Sequence, residues 1–292
     1  MDYDHNSRCS LRGATLIGGH SKRMRRSLLF ALLQLASCQH GHGGHKLFSN
    51  CPCTLIDVGL NNGESLLKWA PEAIAYSAPG GTFANLPSIV DDAAWPARRS
   101  KLQQCIDDKN TCYYGFEANP SFDETLDAIE RTLRDAGRPV KLFTRTAFNI
   151  NDQPAEFLVE PPHSRSGNTG STLEKDKGSH FIDKSGQWRH NNNKTVLDAG
   201  YQKRKVASVN ASAFLSDVIA SSGFVAVKMD IEGFEYTLLE YLLLTNPRAI
   251  CGLDIFAIEW HGHMVPKHAT KTPHLLHMLT SQYCGVSVLP WT

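Results

Sequence analysis

The sequence predicts an α/β fold: a doubly wound, Rossmann-like sheet with helices on both faces. Three observations predict it. Short apolar runs alternate with helix-period segments along the chain, the order that builds a parallel sheet. Four of those runs, at 55–58, 113–116, 224–229 and 253–258, carry an acidic residue at or just past their carboxyl end: Asp57, Glu117, Asp230 and Glu259. The first runs into Gly59-Leu60-Asn61-Asn62-Gly63, a tight turn at the sheet edge where open α/β folds bind ligands.

The 292 residues divide into an N-terminal targeting or linker segment, 1–50, and one domain, 51–292, within the usual size of a single core. A net charge of +1 supplies no overall attraction to nucleic acid, which is not expected as a partner. From His5 to Cys53 there is no acidic residue, while Lys22, Arg23, Arg25 and Arg26 precede the apolar stretch Leu28–Ala36. Basic residues followed by an apolar run and small residues resemble a signal peptide or short signal anchor. The run is too short to span a bilayer comfortably. The expectation is a secretory or membrane-anchored lumenal location, with membrane association through this segment only. An organelle transit peptide, or a cytoplasmic protein whose amphipathic helix packs on the domain, are the alternatives. His40–His45 reads as a glycine-bearing linker.

Eight cysteines are too few for a disulfide scaffold in a chain this long. Cys53 and Cys112 nevertheless each stand just before a strand, and parallel neighbours would bring them within bridging range. Cys105 with Cys112, or Cys51 in place of Cys53, are alternatives. Asn193-Lys194-Thr195 and Asn210-Ala211-Ser212 are glycosylation sequons.

Taken in order, strand 55–58 leads into a helix carrying Leu66, Leu67 and Trp69. An insertion at 71–110 follows, rich in Pro, Ala and Ser, with one helix near Ala97–Ile106. Strand 113–116 precedes a helix with Phe122, Leu126, Ile129 and Leu133 on one face and Gly137 as its stop. Val140–Thr146 reads as a third strand and Ala155–Val159 as another. The polar, basic stretch 161–205 reads as a long loop, either a lid or a solvated segment. Helices at Ala211–Ser221, Phe234–Leu244 and Pro273–Ser281 then alternate with strands at Phe224–Met229, Leu253–Ile258 and Gly285–Leu289.

The glycine spacing bears on the ligand. Dinucleotide folds use Gly-x-Gly-x-x-Gly to seat a pyrophosphate at a helix N-terminus. Here Asn61 takes the place of the middle glycine, so a ligand without pyrophosphate fits better, and S-adenosylmethionine is the candidate. Gly59 and Gly63 would let the backbone approach it closely. Glu117 suits ribose hydroxyls, although it lies 54 residues beyond Gly63 rather than about twenty. Asp230 and Glu232 arrive at the same sheet edge. Acids gathered in this way need a cation or donors to offset their repulsion, and a sulfonium would supply one positive charge. His261, past the strand ending at Ile258, is the preferred general base because an imidazole titrates near neutrality. Asp230 or Glu232 would orient the acceptor or serve instead. The ligand types of Asp230, Glu232 and His261 would suit a divalent metal, but none is expected.

Asp57–Ser65, Gly115–Pro120, Lys228-Met229-Asp230-Ile231-Glu232-Gly233-Phe234-Glu235 and Ile258-Glu259-Trp260-His261 occur in the order found in FkbM-type methyltransferases, which the chain resembles over about 54–262. The resemblance implies a class I S-adenosylmethionine-dependent methyltransferase fold acting on hydroxyl groups of sugars, polyketides or related metabolites. It implies that Asp57, Gly59, Asn61 and Gly63 line the methionine side of the cofactor, Glu117 its ribose and Ala147 its adenine. Ser166–Leu173 looks like the family's small-residue segment before a substrate loop. The insertion, and a chain that stops soon after Trp291, depart from the pattern. The partner expected is a small-molecule or glycan acceptor. An NAD-type oxidoreductase and a non-catalytic, methyltransferase-like binding protein are the competing readings.

Overall fold

The structure, a computed structural model, describes residues 47–69, 93–161, 170–174, 178–182, 188–195, 200–268, 270–281 and 284–291. Residues 1–46 of the expected targeting or linker segment, and 70–92 of the expected insertion, lie outside the described residues. Strand β1 (Thr54–Val58) leads through helices α1 (Glu64–Trp69) and α2 (Trp95–Asp107) to β2 (Cys112–Phe116). Helix α3 (Asp123–Asp135) carries the chain to β3 (Val140–Phe143). Then come β4 (Thr146–Asn149), β5 (Ala155–Val159), β6 (Gly178–Ile182), β7 (Trp188–Thr195) and β8 (Gln202–Asn210). The α/β alternation resumes with α4 (Ala211–Ser221), β9 (Val225–Met229), α5 (Glu235–Thr245), α6 (Arg248–Cys251), β10 (Ile255–Ile258), α7 (Thr272–Thr280) and β11 (Ser287–Pro290).

Six strands form the main sheet in the order β11-β10-β9-β1-β2-β3, every pairing parallel. β1, β2 and β9 are buried along their whole length, which parallel strands sustain only with helices over both faces. Their side chains divide by parity. Ile56, Tyr114, Val227 and Phe256 join Phe214 of α4 and Leu238 and Leu242 of α5 in one core. Leu55, Tyr113, Ala226 and Ile255 join Leu102 of α2 and Leu126 and Leu133 of α3 in the other. Each such buried side chain contributes about 1.5–3 kcal/mol. Strand order reverses between β1 and β9, so a crevice opens at their carboxyl ends.

The structure departs from the sequence expectation at four places. The run Val140–Thr146 is two strands in different sheets, β3 pairing with β2 and β4 with β8. Arg145 between them takes φ +51°, a left-handed step that ends the extended run and redirects the chain. The stretch 161–205 is not simply a loop. It carries the antiparallel pair β6–β7 and the start of β8, which pairs antiparallel with β5. The basic run Lys203-Arg204-Lys205 is the exposed part of a strand whose Val206 and Val209 point inward, and Lys203 meets Glu156 at 3.0 Å. The later part of the supposed insertion is a core helix, since α2 buries Leu102, Cys105 and Ile106.

The cysteines are the fourth. Cys53 does not join Cys112; the bridges are Cys51–Cys112, Cys53–Cys105 and Cys251–Cys284. Cys51 and Cys112 face the α4–α5 core, and Cys53 and Cys105 face the α2–α3 core; Cys51 lies before β1, where strand alternation does not govern it. The sequon asparagine Asn210 is also committed to the fold, its side-chain oxygen accepting from the Ala213 N–H as the N-cap of α4. Replacing Cys51 and Cys112 together by Ser should lower unfolding free energy by about 2–4 kcal/mol. A urea melt in non-reducing buffer measures this, and an unmoved midpoint would count against the bridge.

Candidate active site

The crevice at the β1/β9 reversal is framed by short segments, each held by the fold. Gly59 leaves β1 at φ +83°, and a Cβ there would stand 1.8 Å from the Asp230 carbonyl oxygen. What this glycine clears is therefore the neighbouring strand end. Gly63, at φ +86°, packs on Ile129 of α3 in the same way, and it is not on the crevice wall. Asn61 lies between them in the left-handed region, φ +56°. Its N–H donates to Glu117 Oε2 at 2.6 Å, while Asn119 N–H donates to Glu117 Oε1 at 2.7 Å. Both oxygens of a buried carboxylate are thus fixed. Burial pushes the Glu117 carboxyl up to about 7, against the two N–H donors and Lys228, with Asp230 adding to the rise.

Behind the crevice wall is a buried cation. Asp57 and Lys228 are register partners across β1 and β9, so their side chains share one face, and Lys228 Nζ lies 3.1 Å from Asp57 Oδ1. The same ammonium donates to the Gly59 carbonyl at 2.6 Å, stands 3.6 Å from Asp230 Oδ2 and lies over the Trp291 ring. Burial alone would drive it toward neutrality, but Asp57 and Asp230 outweigh that and its pKa is raised. Asp57 is therefore behind the crevice, not on its wall.

At the end of β9, Asp230 N–H bonds the Val58 carbonyl, and Asp230 and Glu232 both line the crevice. Burial first, then Glu232 and Glu259, raise the Asp230 carboxyl to about 6 despite Lys228. Glu232 is left-handed, φ +58°, and is followed by Gly233 at φ +104°. Thr172 Oγ1 donates to the Glu232 carbonyl at 2.9 Å. Such a conformation in a glutamate is strained by about 1–3 kcal/mol and persists where surroundings enforce it. Glu235, fully buried, accepts from the N–H of Gly233 and from both the backbone and the ring Nδ1 of His261, all at 2.8 Å.

His261 is 2% exposed and off the crevice wall. Its Nε2 lies 3.5 Å from Glu259, 3.8 Å from Asp230 and 3.9 Å from Glu232. Burial would lower its pKa, but Glu235 and then Glu259 and Glu232 raise it well above the usual imidazole value. A ring held by Glu235 off the crevice wall is poorly placed to take a proton from a molecule in the crevice. This arrangement disfavours the base role that the sequence suggested for it.

The crevice is bordered by carboxylates on one side and by apolar residues, Phe116, Ala147, Phe148 and Phe157, on another. Of the nine site residues expected from sequence, Asn61, Gly59, Glu117, Ala147, Asp230 and Glu232 line it. Asp57, Gly63 and His261 stand behind. Sequence reasoning gave no role to Lys228, Asn119 or Ser171, although Asn119 Nδ2 donates to Ser171 Oγ at 3.1 Å and both line the crevice. A lysine inside an otherwise apolar strand was the signal available for Lys228. Of the segment 166–173, residues 166–169 lie outside the described residues, while Ser171 and Leu173 line the crevice.

A parallel sheet of this order, with a crevice at its reversal, defines an α/β protein of the Rossmann-like methyltransferase class. Residues 57–287 match the family model of the Methyltransferase FkbM domain, and the chain belongs to that family. No curated protein and no solved structure matches the chain significantly.

Lys228→Met would leave Asp57 charged and buried, and should destabilise by about 3–5 kcal/mol. Asp57→Leu combined with Lys228→Met should cost less than the sum of the single changes, read as a coupling energy in denaturant melts. Additive losses would show that the pair does not act as a unit.

Proposed function

We propose that this chain is an S-adenosylmethionine-dependent methyltransferase that methylates a hydroxyl group of a sugar or another hydroxylated small molecule. The observation that carries the reading is the charge of the crevice. Glu117, Asp230 and Glu232 are on its wall, and among the described residues none that lines it is Lys or Arg. Such a wall favours a ligand carrying positive charge. The helix that follows the β1 turn argues in the same direction. At the start of α1, Asn62 Oδ1 accepts the Glu64 N–H at 3.2 Å, and Glu64 sits in the first turn. An N-terminus already capped and carrying a carboxylate is poorly suited to a pyrophosphate, which disfavours an NAD-type reaction.

The residues present fit the cofactor. The Gly59–Asn61 backbone and Asp230 would border its methionine portion, Glu117 would accept from ribose hydroxyls, and Ala147, Phe148 and Phe157 offer an apolar wall for adenine. When bound, it supplies a methyl group activated on positively charged sulfur, so transfer breaks the sulfur–carbon bond, leaves its electrons on sulfur and forms the carbon–oxygen bond. The protein's task is then alignment and removal of the acceptor proton. We assign the proton to Glu232, a crevice-wall carboxylate whose strained backbone is braced by Thr172. Asp230, held by Lys228, would orient the acceptor. An extracytoplasmic, lumenal location fits three disulfides, since such bonds persist in oxidising compartments. Among the described residues no helix is long and apolar enough to cross a membrane.

Adenosylmethionine, and not NAD, should raise the thermal midpoint. Its affinity should be full above about pH 7 and fall toward tenfold per pH unit below, because the proton on Glu117 must leave before the carboxylate can accept. Glu117→Gln should weaken binding about tenfold or more at pH 8 and flatten that dependence. Calorimetric titration at several pH values checks both, and protection by NAD alone would overturn the assignment.

Glu232→Gln should lower kcat by about 10²–10⁴-fold while leaving cofactor affinity near the parent value. Labelled-methyl transfer into a panel of hydroxylated glycans measures the rate. A variant as fast as the parent removes Glu232 as the base, and a parent that binds cofactor yet modifies no acceptor favours a binding role.

A further inference from the structure

We propose that Asp230, Glu259 and His261 form a binding site for one divalent cation of the Mn2+ type, at the carboxyl ends of β9 and β10 beside the crevice. Each residue offers one ligand atom, and these atoms all lie within 4.8 Å of one another. The histidine distinguishes this group from an ordinary acidic surface. Its side chain is 2% exposed, and its ring is oriented by Nδ1 at 2.8 Å from the wholly buried Glu235. A carboxylate behind the ring is how proteins fix a metal-binding imidazole, leaving Nε2 for the ion.

That Nε2 faces Glu259 at 3.5 Å and Asp230 Oδ1 at 3.8 Å, beyond the ~2.7–3.2 Å of a normal N–H···O bond. Ligand atoms around an ion with bonds of about 2.1 Å sit roughly 3.0–3.4 Å apart. Small side-chain rotations would therefore close the group onto an ion. Asp230 divides its oxygens, Oδ2 toward Lys228 and Oδ1 toward His261, so the lysine orients this ligand as Glu235 orients the ring. Asp230 and Glu259 are partly exposed, at 23% and 37%, which leaves an entry path from solvent. Two carboxylates and one imidazole suit Mn2+ better than the all-oxygen Ca2+ or the thiolate-seeking Cu+.

The site has a use in the proposed reaction, and that use, unlike the binding itself, rests on the hydroxyl-methylation reading. Three protein ligands leave positions open for an acceptor oxygen, whose proton a Lewis acid would loosen. Glu232, which stands outside the three-residue group but on the crevice wall, then receives that proton.

The test uses the full chain, Mn2+ alone, and the loss of the free-ion electron paramagnetic resonance signal. The expected result is saturable binding of one ion per chain. Affinity should fall at least tenfold in Glu259→Gln and in His261→Gln, and hold in Glu240→Gln, a carboxylate outside the group whose partner is Lys271. Far-UV circular dichroism and binding of S-adenosylhomocysteine confirm that the variants are folded. An undiminished free Mn2+ signal with the parent protein overturns the site, as does parental affinity in either ligand variant. Mn2+ binding without any adenosyl-ligand binding would sink the methyltransferase reading and spare the cation site; the converse would do the opposite.

Discussion

A single buried ammonium organises this molecule. Lys228 Nζ reaches Asp57, Asp230 and the Gly59 carbonyl together, joining the carboxyl ends of β1 and β9 where the sheet order reverses. Without it, Asp57 would be a charge sealed between two strands, and the turn at Gly59 would lose the donor that holds its carbonyl. Its position follows from register alone: Lys228 lies opposite Asp57, so parity puts both side chains on the same face. The crevice wall is the other surface of that junction.

From there the acids sort by environment. Asp57 is neutralised by the lysine. Glu117 is held by two backbone N–H groups, and these with Lys228 only partly offset its burial, so burial governs it. Glu235 accepts three donors and turns His261 toward Asp230, Glu232 and Glu259. The outcome is a crevice bordered by carboxylates whose counter-charges lie behind its wall. Such a surface is suited to a positively charged donor, to a cation, or to both, and it gives one physical basis to the cofactor, proton and cation assignments.

Much of this was legible from sequence. Apart from β3, the strands of the main sheet and the position of the acids at strand ends were read correctly because buried parallel strands are short apolar runs with polar residues at one end. The stretch 161–205 misled because a half-solvated strand such as β8 carries charge on its outward residues and looks like loop. Val140–Thr146 misled because the step that divides it falls on Arg145, with no glycine or proline to mark it. Of the cysteine pairings, the alternative with Cys51 in place of Cys53 is the one that forms with Cys112; the sequence could not show that Cys51, ahead of β1, faces the core opposite to Cys53.

The sequence by itself determined the alternation of strands and helices, the sheet edge that carries the chemistry and the residue types gathered there, since periodicity and strand-end position are local properties of the chain. Only the tertiary structure decided which acid lines the crevice and which faces a lysine, and that the His261 ring lies off the crevice wall with Nε2 toward three carboxylates. Those outcomes depend on register between strands distant in sequence, and on which side chains burial forces together, and neither is written in any one segment.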